Sequence, residues 1–297
     1  MRAQGRAIAV AVASMLAAAC LPLAGCGPAI RRPGDLSRAA TYLNTYGDYR
    51  ASDLAEFAKY DVAVLDAYDY PDAAFPAGLR RADTTVLAYI DIGEAEEFRD
   101  YWGEVASHPE MLIARKPDWH GDWTADVNDP RWRRIVVDRE IPHLRSLGPM
   151  DGLCMDMLDT VDDHPGLKPG MIELVREIRK KYPELLLVPN RGFAVLPEIL
   201  PYIDAFKYED LSSEYDPASG KYVAVRDRGD LETLEAALER KDIPVLVLDH
   251  VSTSPPDYRL ARADYRRCRS IAAQTHWHFV WYANSIHQDF MKWASPM

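Results

Sequence analysis

The sequence is poor in cysteine and lacks the short motifs that mark most metal-, nucleotide- and serine-dependent enzymes. Four of its 297 residues are Cys, and no CxxC pair occurs, which argues against a structural zinc site. HExxH, GxSxG, GxGxxG and GxxxxGK(S/T) segments are also missing. Zinc-peptidase, serine-hydrolase, dinucleotide and P-loop chemistry therefore each lack their sequence signature. We expect neither a cofactor nor a metal.

Long apolar runs are scarce too, and the one that stands out lies at the N-terminus. Residues 7–24 carry no charge and follow Arg2 and Arg6, which is the pattern of a secretory signal. A membrane-spanning helix needs about 20 apolar residues, whereas this stretch is shorter and contains Pro22. A cleaved signal is therefore favoured over a single anchor helix.

The end of this stretch, Leu23-Ala24-Gly25-Cys26, is similar to the bacterial lipobox, whose Cys receives a lipid and becomes the first mature residue. We predict a lipoprotein signal peptide over residues 1–25, lipidation of Cys26, and a tether over residues 26–39 that is rich in Gly, Pro and charge. An ordinary signal peptide with an incidental Cys is the alternative. The prediction implies export, with the chain held at a membrane through lipid alone and facing the periplasm or the cell exterior.

Positive charge is in deficit. The chain has 35 Lys and Arg against 46 Asp and Glu, a net charge of −11, which becomes −13 when Arg2 and Arg6 leave with the signal. An acidic chain of this kind suits neither nucleic acid nor anionic lipid headgroups as a partner. It does suit a cationic substrate.

Short apolar runs alternate with amphipathic stretches from residue 41 onward. Parallel strands with both faces covered are expected from such alternation. Eight strand-then-helix units predict a single α/β domain, a (β/α)8 TIM barrel over residues 40–297; a doubly wound open sheet is the alternative. The predicted strands are 41–47, 62–68, 85–93, 152–158, 185–190, 205–210, 244–250 and 279–285.

Polar residues follow small or branched ones at the carboxyl ends of these strands. Because side chains two residues apart share a face of a strand, we expect a ring of polar groups at one mouth of the barrel. Clustered carboxylates raise one another's pKa and cost stability, so a functional site is a better explanation than chance. The ring consists of Asp66, Glu94, Asp156, Asn190, Glu209, Asp249 and Tyr282.

Two facing carboxylates are the equipment for breaking a glycosidic bond, since one protonates the leaving oxygen while the other attacks or stabilises the sugar cation. Aromatic side chains beside the strand ends could stack on sugar rings. These are Tyr46, Tyr68, Tyr70, Tyr101, Trp102, Tyr208 and Tyr282. Among the eight His, His250 is the one expected near the mouth.

Two smaller features leave alternatives open. The acidic segment with Asp159, Asp162 and Asp163 suits a solvated loop better than a calcium loop, because the spacing of a known calcium loop is absent. Cys154 lies in a strand-like apolar run, where a free Cys acts as a small core residue, although a disulfide with Cys268 is also possible.

Five segments in chain order, VLAYIDIGEAEEFRDYW, DGLCMDMLDT, VPNRGF, FKYEDL and PVLVLDH, resemble glycoside hydrolase family 114, the endo-α-1,4-polygalactosaminidases. The resemblance covers most of residues 40–290. It implies a (β/α)8 barrel that cleaves α-1,4-linked galactosamine polymers internally, with Asp156 and Glu209 as the catalytic residues. The other members of the ring, Asp66, Glu94, Asn190, Asp249 and Tyr282, would then bind or support the sugar. Deacetylated galactosamine is cationic, which gives an acidic mouth a direct purpose.

Lys207 shares a strand face with Glu209 and should point inward, where its charge needs a partner. That partner could be Asp156, Glu209 or another acid lower in the barrel. We predict Asp156 as the nucleophile, kept ionised by backbone donors or by Lys207. Glu209 is then the acid/base, because its longer side chain can reach the leaving oxygen. A non-catalytic, lipid-anchored sugar-binding barrel is the alternative to an enzyme.

Overall fold

The computed structural model describes residues 36–117, 119–225, 229–252 and 277–285, with positions 263, 266–267, 269–270 and 273–274. The predicted signal peptide, Cys26 and the tether up to residue 35 lie outside these residues, as does Cys268. Leu36 and Ala39, which lie within the predicted tether, are buried.

The described residues contain thirteen strands. They are β1 (Tyr42–Thr45), β2 (Val62–Leu65), β3 (Thr85–Asp91), β4 (Glu94–Glu96), β5 (Leu112–Arg115), β6 (Asp122–Ala125), β7 (Gly152–Asp156), β8 (Leu186–Pro189), β9 (Phe206–Glu209), β10 (Ser213–Asp216), β11 (Lys221–Ala224), β12 (Val245–His250) and β13 (Phe279–Asn284).

Eight of these strands are parallel and follow one another in space as they do in sequence. One sheet has the order β1-β2-β3-β7-β8 and a second has the order β9-β12-β13. A parallel bridge between Asn190 and Lys207 connects β8 to β9. These eight strands are the eight predicted ones, which confirms an α/β fold built on parallel sheet.

Helical segments connect the strands and cover them. They are α1 (Leu54–Phe57), α2 (Ala74–Arg81), α3 (Trp102–Ala106), α4 (Pro130–Arg134), α5 (Ile141–Leu147), α6 (Thr160–Asp163), α7 (Lys168–Lys181), α8 (Leu196–Ile199) and α9 (Gly229–Leu238), with a π-helix at Ile135–Glu140 and shorter 3-10 turns between them. The amphipathic α7 buries Met171, Leu174, Val175 and Ile178. No described helix is both long enough and apolar enough to cross a membrane.

The rod formed by α4, the π-helix and α5 shows how local sequence sets a boundary. Asp129 caps it by accepting a hydrogen bond from the Arg131 amide at 2.8 Å, and Pro130 is its first residue, where a missing N–H costs nothing. Gly148 ends it, as the sequence predicts.

Two antiparallel additions stand beside the parallel frame. Strands β4, β6 and β5 form a three-stranded sheet between β3 and α4, while β10 and β11 form a hairpin after β9. The three-stranded sheet carries several residues of the site described next.

Candidate active site

A cavity of about 550 Å³ opens where the parallel strands end. Residues from the carboxyl ends of six parallel strands converge on it, as expected for the functional face of such a fold. Its lining is acidic and aromatic: Tyr46, Asp66, Tyr89, Asp91, Glu94, Glu96, Phe98, Arg99, Trp119, His120, Asp122, Asp156, Met157, Asp159, Asn190, Arg191, Glu209 and Asp210.

Asp156 and Glu209 are held together by one amide group. The Asn190 Nδ2 donates to Asp156 Oδ1 at 2.8 Å and to Glu209 Oε2 at 2.6 Å. The two acceptor oxygens are therefore at most 5.4 Å apart, which is the sum of these two distances. Paired carboxyl groups lie about 5–5.5 Å apart in retaining glycosidases and about 6.5–9.5 Å apart in inverting ones. The spacing fits the retaining class.

Glu209 is surrounded by cations. Lys207 Nζ lies 3.2 Å from its Oε2, and His250 Nε2 lies 3.3 Å from its Oε1. Burial opposes the charge, but Lys207, His250 and the Asn190 amide together lower the pKa of Glu209 to about 2. The inward orientation predicted for Lys207 is confirmed, since this side chain is only 1% exposed.

Asp156 has a different environment. It accepts hydrogen bonds from Asn190 and from the Met157 amide at 2.9 Å, and neither donor is a cation. Burial raises the pKa of Asp156, the Lys207 charge lowers it in part, and the Glu209 charge raises it further. Lys207 pairs with Glu209 rather than with Asp156, so of the two groups expected to keep Asp156 ionised only the backbone donor, the Met157 amide, contacts it.

His250 connects this pair to a third carboxylate. Its Nδ1 lies 2.7 Å from Asp210 Oδ1, while its Nε2 faces Glu209. Burial lowers the pKa of His250, but the hydrogen bond to Asp210 and the Glu209 charge outweigh it and raise this pKa overall. His250 therefore lies between two carboxylates, hydrogen-bonded to Asp210 and in close contact with Glu209.

The structure places Asp249 away from the cavity, contrary to the prediction. Asp249 is fully buried and accepts hydrogen bonds from the amides of Ser212 and Ser213, the Ser212 hydroxyl and the Trp281 indole. Its neighbour His250 faces the site instead. The set of β12 side chains predicted to point inward is therefore displaced by one residue, which puts Asp249 on the opposite face of the strand.

Tyr282 is also outside the cavity lining. It is 2% exposed and packs edge-on against Tyr42 and Tyr60, with ring centroids 5.6 and 6.2 Å away. Tyr101 and Tyr208, two other aromatic candidates, are buried as well. Tyr46 does line the cavity.

Asp66 reaches the cavity as predicted but is held by Arg99. The Arg99 guanidinium donates to both oxygens of Asp66 at 3.2 and 2.9 Å and to both oxygens of Glu96 at 2.7 and 3.1 Å. Its face lies 4.4 Å from the centre of the Tyr68 ring. Such a doubly bidentate cation fixes the wall of the cavity rigidly.

Glu94 also lines the cavity, paired with Lys116 Nζ at 2.8 Å. Gly93 is required just before it, because a Cβ at this position would lie 2.0 Å from the Met157 carbonyl oxygen. This close approach brings the loop after β3 against the end of β7, beside Asp156.

Several cavity residues were missed from the sequence. Asp91 ends β3 directly beside Asp156 in the sheet register and accepts the amides of Gly93 and Glu94 at 3.0 and 2.7 Å. The alternation within β3 could have predicted Asp91, because it lies two residues after Tyr89 and therefore on the same face of the strand. Asp159 is a further member, with burial and the Asp156 charge raising its pKa to about 6.

Asp159 pairs with Arg191 at 3.2 Å, which favours a role in the cavity wall over a calcium loop. Among the described residues no group of three or more His, Cys, Asp and Glu is arranged to hold a metal. Cys154 is a buried free thiol.

The backbone turns sharply after each member of the central trio. Met157 follows Asp156, Arg191 follows Asn190 and Asp210 follows Glu209. These three following residues have φ values of 61°, 53° and 63°. Left-handed backbone is costly for residues with a Cβ, so its repetition at three adjacent strand ends marks a shared constraint of the site.

A family model described as glycoside-hydrolase family GH114 matches residues 29–289. The chain belongs to this family. The glycoside hydrolase domain of PelA from Pseudomonas aeruginosa is 25% identical, with 85% of this chain and 97% of that domain covered and a TM-score of 0.71. Ega3 of Aspergillus fumigatus, solved as a complex with galactosamine, has the same fold at 15% identity, with 86% and 95% covered and a TM-score of 0.64.

Sequence relatives match over shorter stretches. A protein of Deinococcus radiodurans is 28% identical over 162 residues, which is 50% of this chain and 52% of that protein. The chain spans about half or less of the length of the curated relatives it matches.

Proposed function

We propose that this protein is a retaining endo-glycosidase that cleaves α-1,4-linked galactosamine polymers with Asp156 and Glu209. The observation that carries the proposal is the Asn190 amide, which holds one oxygen of each carboxylate within 5.4 Å of the other. A pair this close leaves room for a covalent sugar intermediate and too little for an attacking water between the carboxylates.

The charges around the pair favour Glu209 as the nucleophile and Asp156 as the general acid. Lys207 and His250 keep Glu209 ionised, while burial and the Glu209 charge favour the protonated form of Asp156. This division reverses the roles expected from the sequence. Two carboxylates in different environments, with pKa values pushed apart, are how one site supplies both an acid and a nucleophile.

The cationic substrate is supported by the acid content of the cavity. Nine carboxylates line it against two Arg and one His, and the strong burial of Asp91 makes a further positive charge favourable there. The match to Ega3 in complex with galactosamine points to the same sugar. Asp66, Glu94 and Asn190 then shape the sugar site, and Asp91 takes the position in the cavity that we predicted for Asp249.

We further propose that the eight parallel strands close into a barrel and that the protein is exported and attached to a membrane. Hydrogen bonds from His278 to the Ala39 carbonyl at 2.7 Å and from Asn284 to the Asn44 carbonyl at 3.2 Å connect β13 to β1 and support a closed (β/α)8 barrel. The lipobox supports export of the chain and its attachment to a membrane through lipid on Cys26.

The test is release of new reducing ends from partially deacetylated galactosaminogalactan by the purified mature protein. Asp156→Asn and Glu209→Gln should each lose at least 100-fold in rate, since each removes a group acting in the transition state. Asp138→Asn is the matched control, because that carboxylate is 51% exposed and does not line the cavity. Binding of the polymer by the wild type with no new ends would contradict the enzyme and favour a non-catalytic sugar-binding barrel.

A further inference from the structure

Three large apolar side chains among the described residues are exposed to solvent, and all belong to the antiparallel sheet β4-β6-β5 or its connections. Phe98 is 65% exposed, Trp119 is 53% exposed and Ile113 is 43% exposed. Phe98 and Trp119 line the cavity, whereas Ile113 does not. Exposed aromatics at the rim of a cavity mark a surface that becomes covered when a ligand binds.

The backbone brings the two aromatic residues to the same edge of this sheet. β4 and β6 pair up to Glu96 and Asp122, and the Glu97 amide extends the pairing by donating to the Gly121 carbonyl at 2.8 Å. Gly121 has a φ of 97°, and the turn there closes with a bond from the Asp122 amide to the Trp119 carbonyl at 3.3 Å. The turn that carries Trp119 thus lies against the strand end that carries Phe98.

Phe98 is positioned although it is exposed. The Arg99 guanidinium lies over its ring, 5.0 Å from the centroid, and Arg99 is itself fixed by Asp66 and Glu96. One face of the ring is therefore supported by a rigid cation, and the high exposure of the side chain leaves the other face to solvent. A ligand that stacks on it has little ordering cost to overcome.

We propose that Phe98 and Trp119 form an outer subsite that stacks on pyranose rings of the polymer, beyond the sugars at the scissile bond. This inference rests on the proposed function and specifies how a chain, rather than a single sugar, is held. Pyranose rings present apolar C–H faces that match an aromatic ring, and an ammonium substituent is attracted to the ring face. Asp122, next to the turn, supplies a carboxylate to the same sugar.

The test is affinity electrophoresis of the intact mature protein in gels that contain partially deacetylated galactosaminogalactan, or other polysaccharides in parallel. Phe98→Ala and Trp119→Ala should each need roughly ten times more polymer for half-maximal retardation, the usual effect of removing an aromatic anchor. Ile113→Ala should migrate like the wild type, since it removes a similar exposed apolar side chain outside the cavity. Ile113→Ala should also cleave an aryl galactosaminide with one sugar at the wild-type rate.

The outcomes separate the subsite from the enzyme. Equal retardation of all four proteins, equal weakening by all three substitutions, or no retardation of the wild type in any polysaccharide would each overturn the subsite. A wild type that is retarded through Phe98 and Trp119 but releases no reducing ends from the polymer would contradict the proposed function and leave the subsite standing.

Discussion

Replacing Lys207 with Met tests which carboxylate works in its ionised form. Lys207 is 1% exposed and its Nζ lies 3.2 Å from Glu209 Oε2. At an effective dielectric constant of about 20, a charge pair at this distance interacts by about 5 kcal/mol. That energy corresponds to between 3 and 4 pKa units at about 1.4 kcal/mol per unit. Removing the charge should therefore move the pKa of Glu209 from about 2 to about 5 or 6.

The assay is the pH dependence of kcat/KM on a soluble galactosamine oligomer. If Glu209 acts ionised, the wild type should keep its rate down to the lowest pH at which it stays folded. The Lys207→Met variant should instead lose activity tenfold per pH unit below about pH 5, because protonation then removes the nucleophile. Met has nearly the length of Lys, so the packing around the position is largely kept.

Lys116→Met is the matched control. It removes a Lys that is paired with another cavity acid, Glu94, at 2.8 Å. Whatever it does to KM, it should leave the pH at which activity falls unchanged. An acid limb that Lys207→Met does not move would refute the electrostatic reasoning. A variant that becomes faster near pH 5 would show that Glu209 works in its protonated form and would restore the sequence-based roles.

Four further predictions concern the roles of the two carboxylates, the pH dependence of stability, Asp91 and the N-terminus. With an activated aryl galactosaminide, Asp156→Asn should accumulate a covalent sugar adduct by intact mass and Glu209→Gln should not; the opposite pattern would reverse their roles. Since burial raises the pKa of Asp91, Asp156 and Asp159, the folded state holds protons that the unfolded chain has lost, so Tm should fall as pH rises from about 4 to 6 and beyond. Asp91→Asn should raise Tm at pH 8 by a few degrees, and a lower Tm would contradict the like-charge account. Cys26→Ser should abolish lipid attachment, and a variant that still partitions into detergent with the wild-type mass shift would rule out the lipoprotein.

The sequence predicts the eight strands well, because each is a short apolar run between breaks. It predicts less well to which side of a strand each side chain points when both faces of the strand are buried. All six residues of β12, Val245–His250, are buried. The sequence of this strand therefore shows no alternation of polar and apolar residues that would tell which side chains point into the cavity. Asp249 was therefore assigned to the wrong side, and only packing against neighbouring strands could correct that assignment.

Pairings over long sequence distances are the other part that the sequence leaves open. Arg99 and Asp66 are 33 residues apart, and their bidentate contact depends on how the loop after β4 folds back. An ion pair of Lys207 was easier to predict, because a charge on an inward strand face needs a partner. Which carboxylate it would choose depended on a distance, and that choice changed the chemical roles of the pair.

The left-handed turns at Met157, Arg191 and Asp210 mark the boundary between the strands that carry the reacting groups and the loops that follow them. Each chemical group lies at the end of a strand, and the backbone changes direction one residue after it. Loops can then lengthen, shorten or be exchanged while the reaction centre stays in register. For laboratory evolution toward other polysaccharides, the loops are the part to randomise, while the strand ends and Arg99 are the part to leave unchanged.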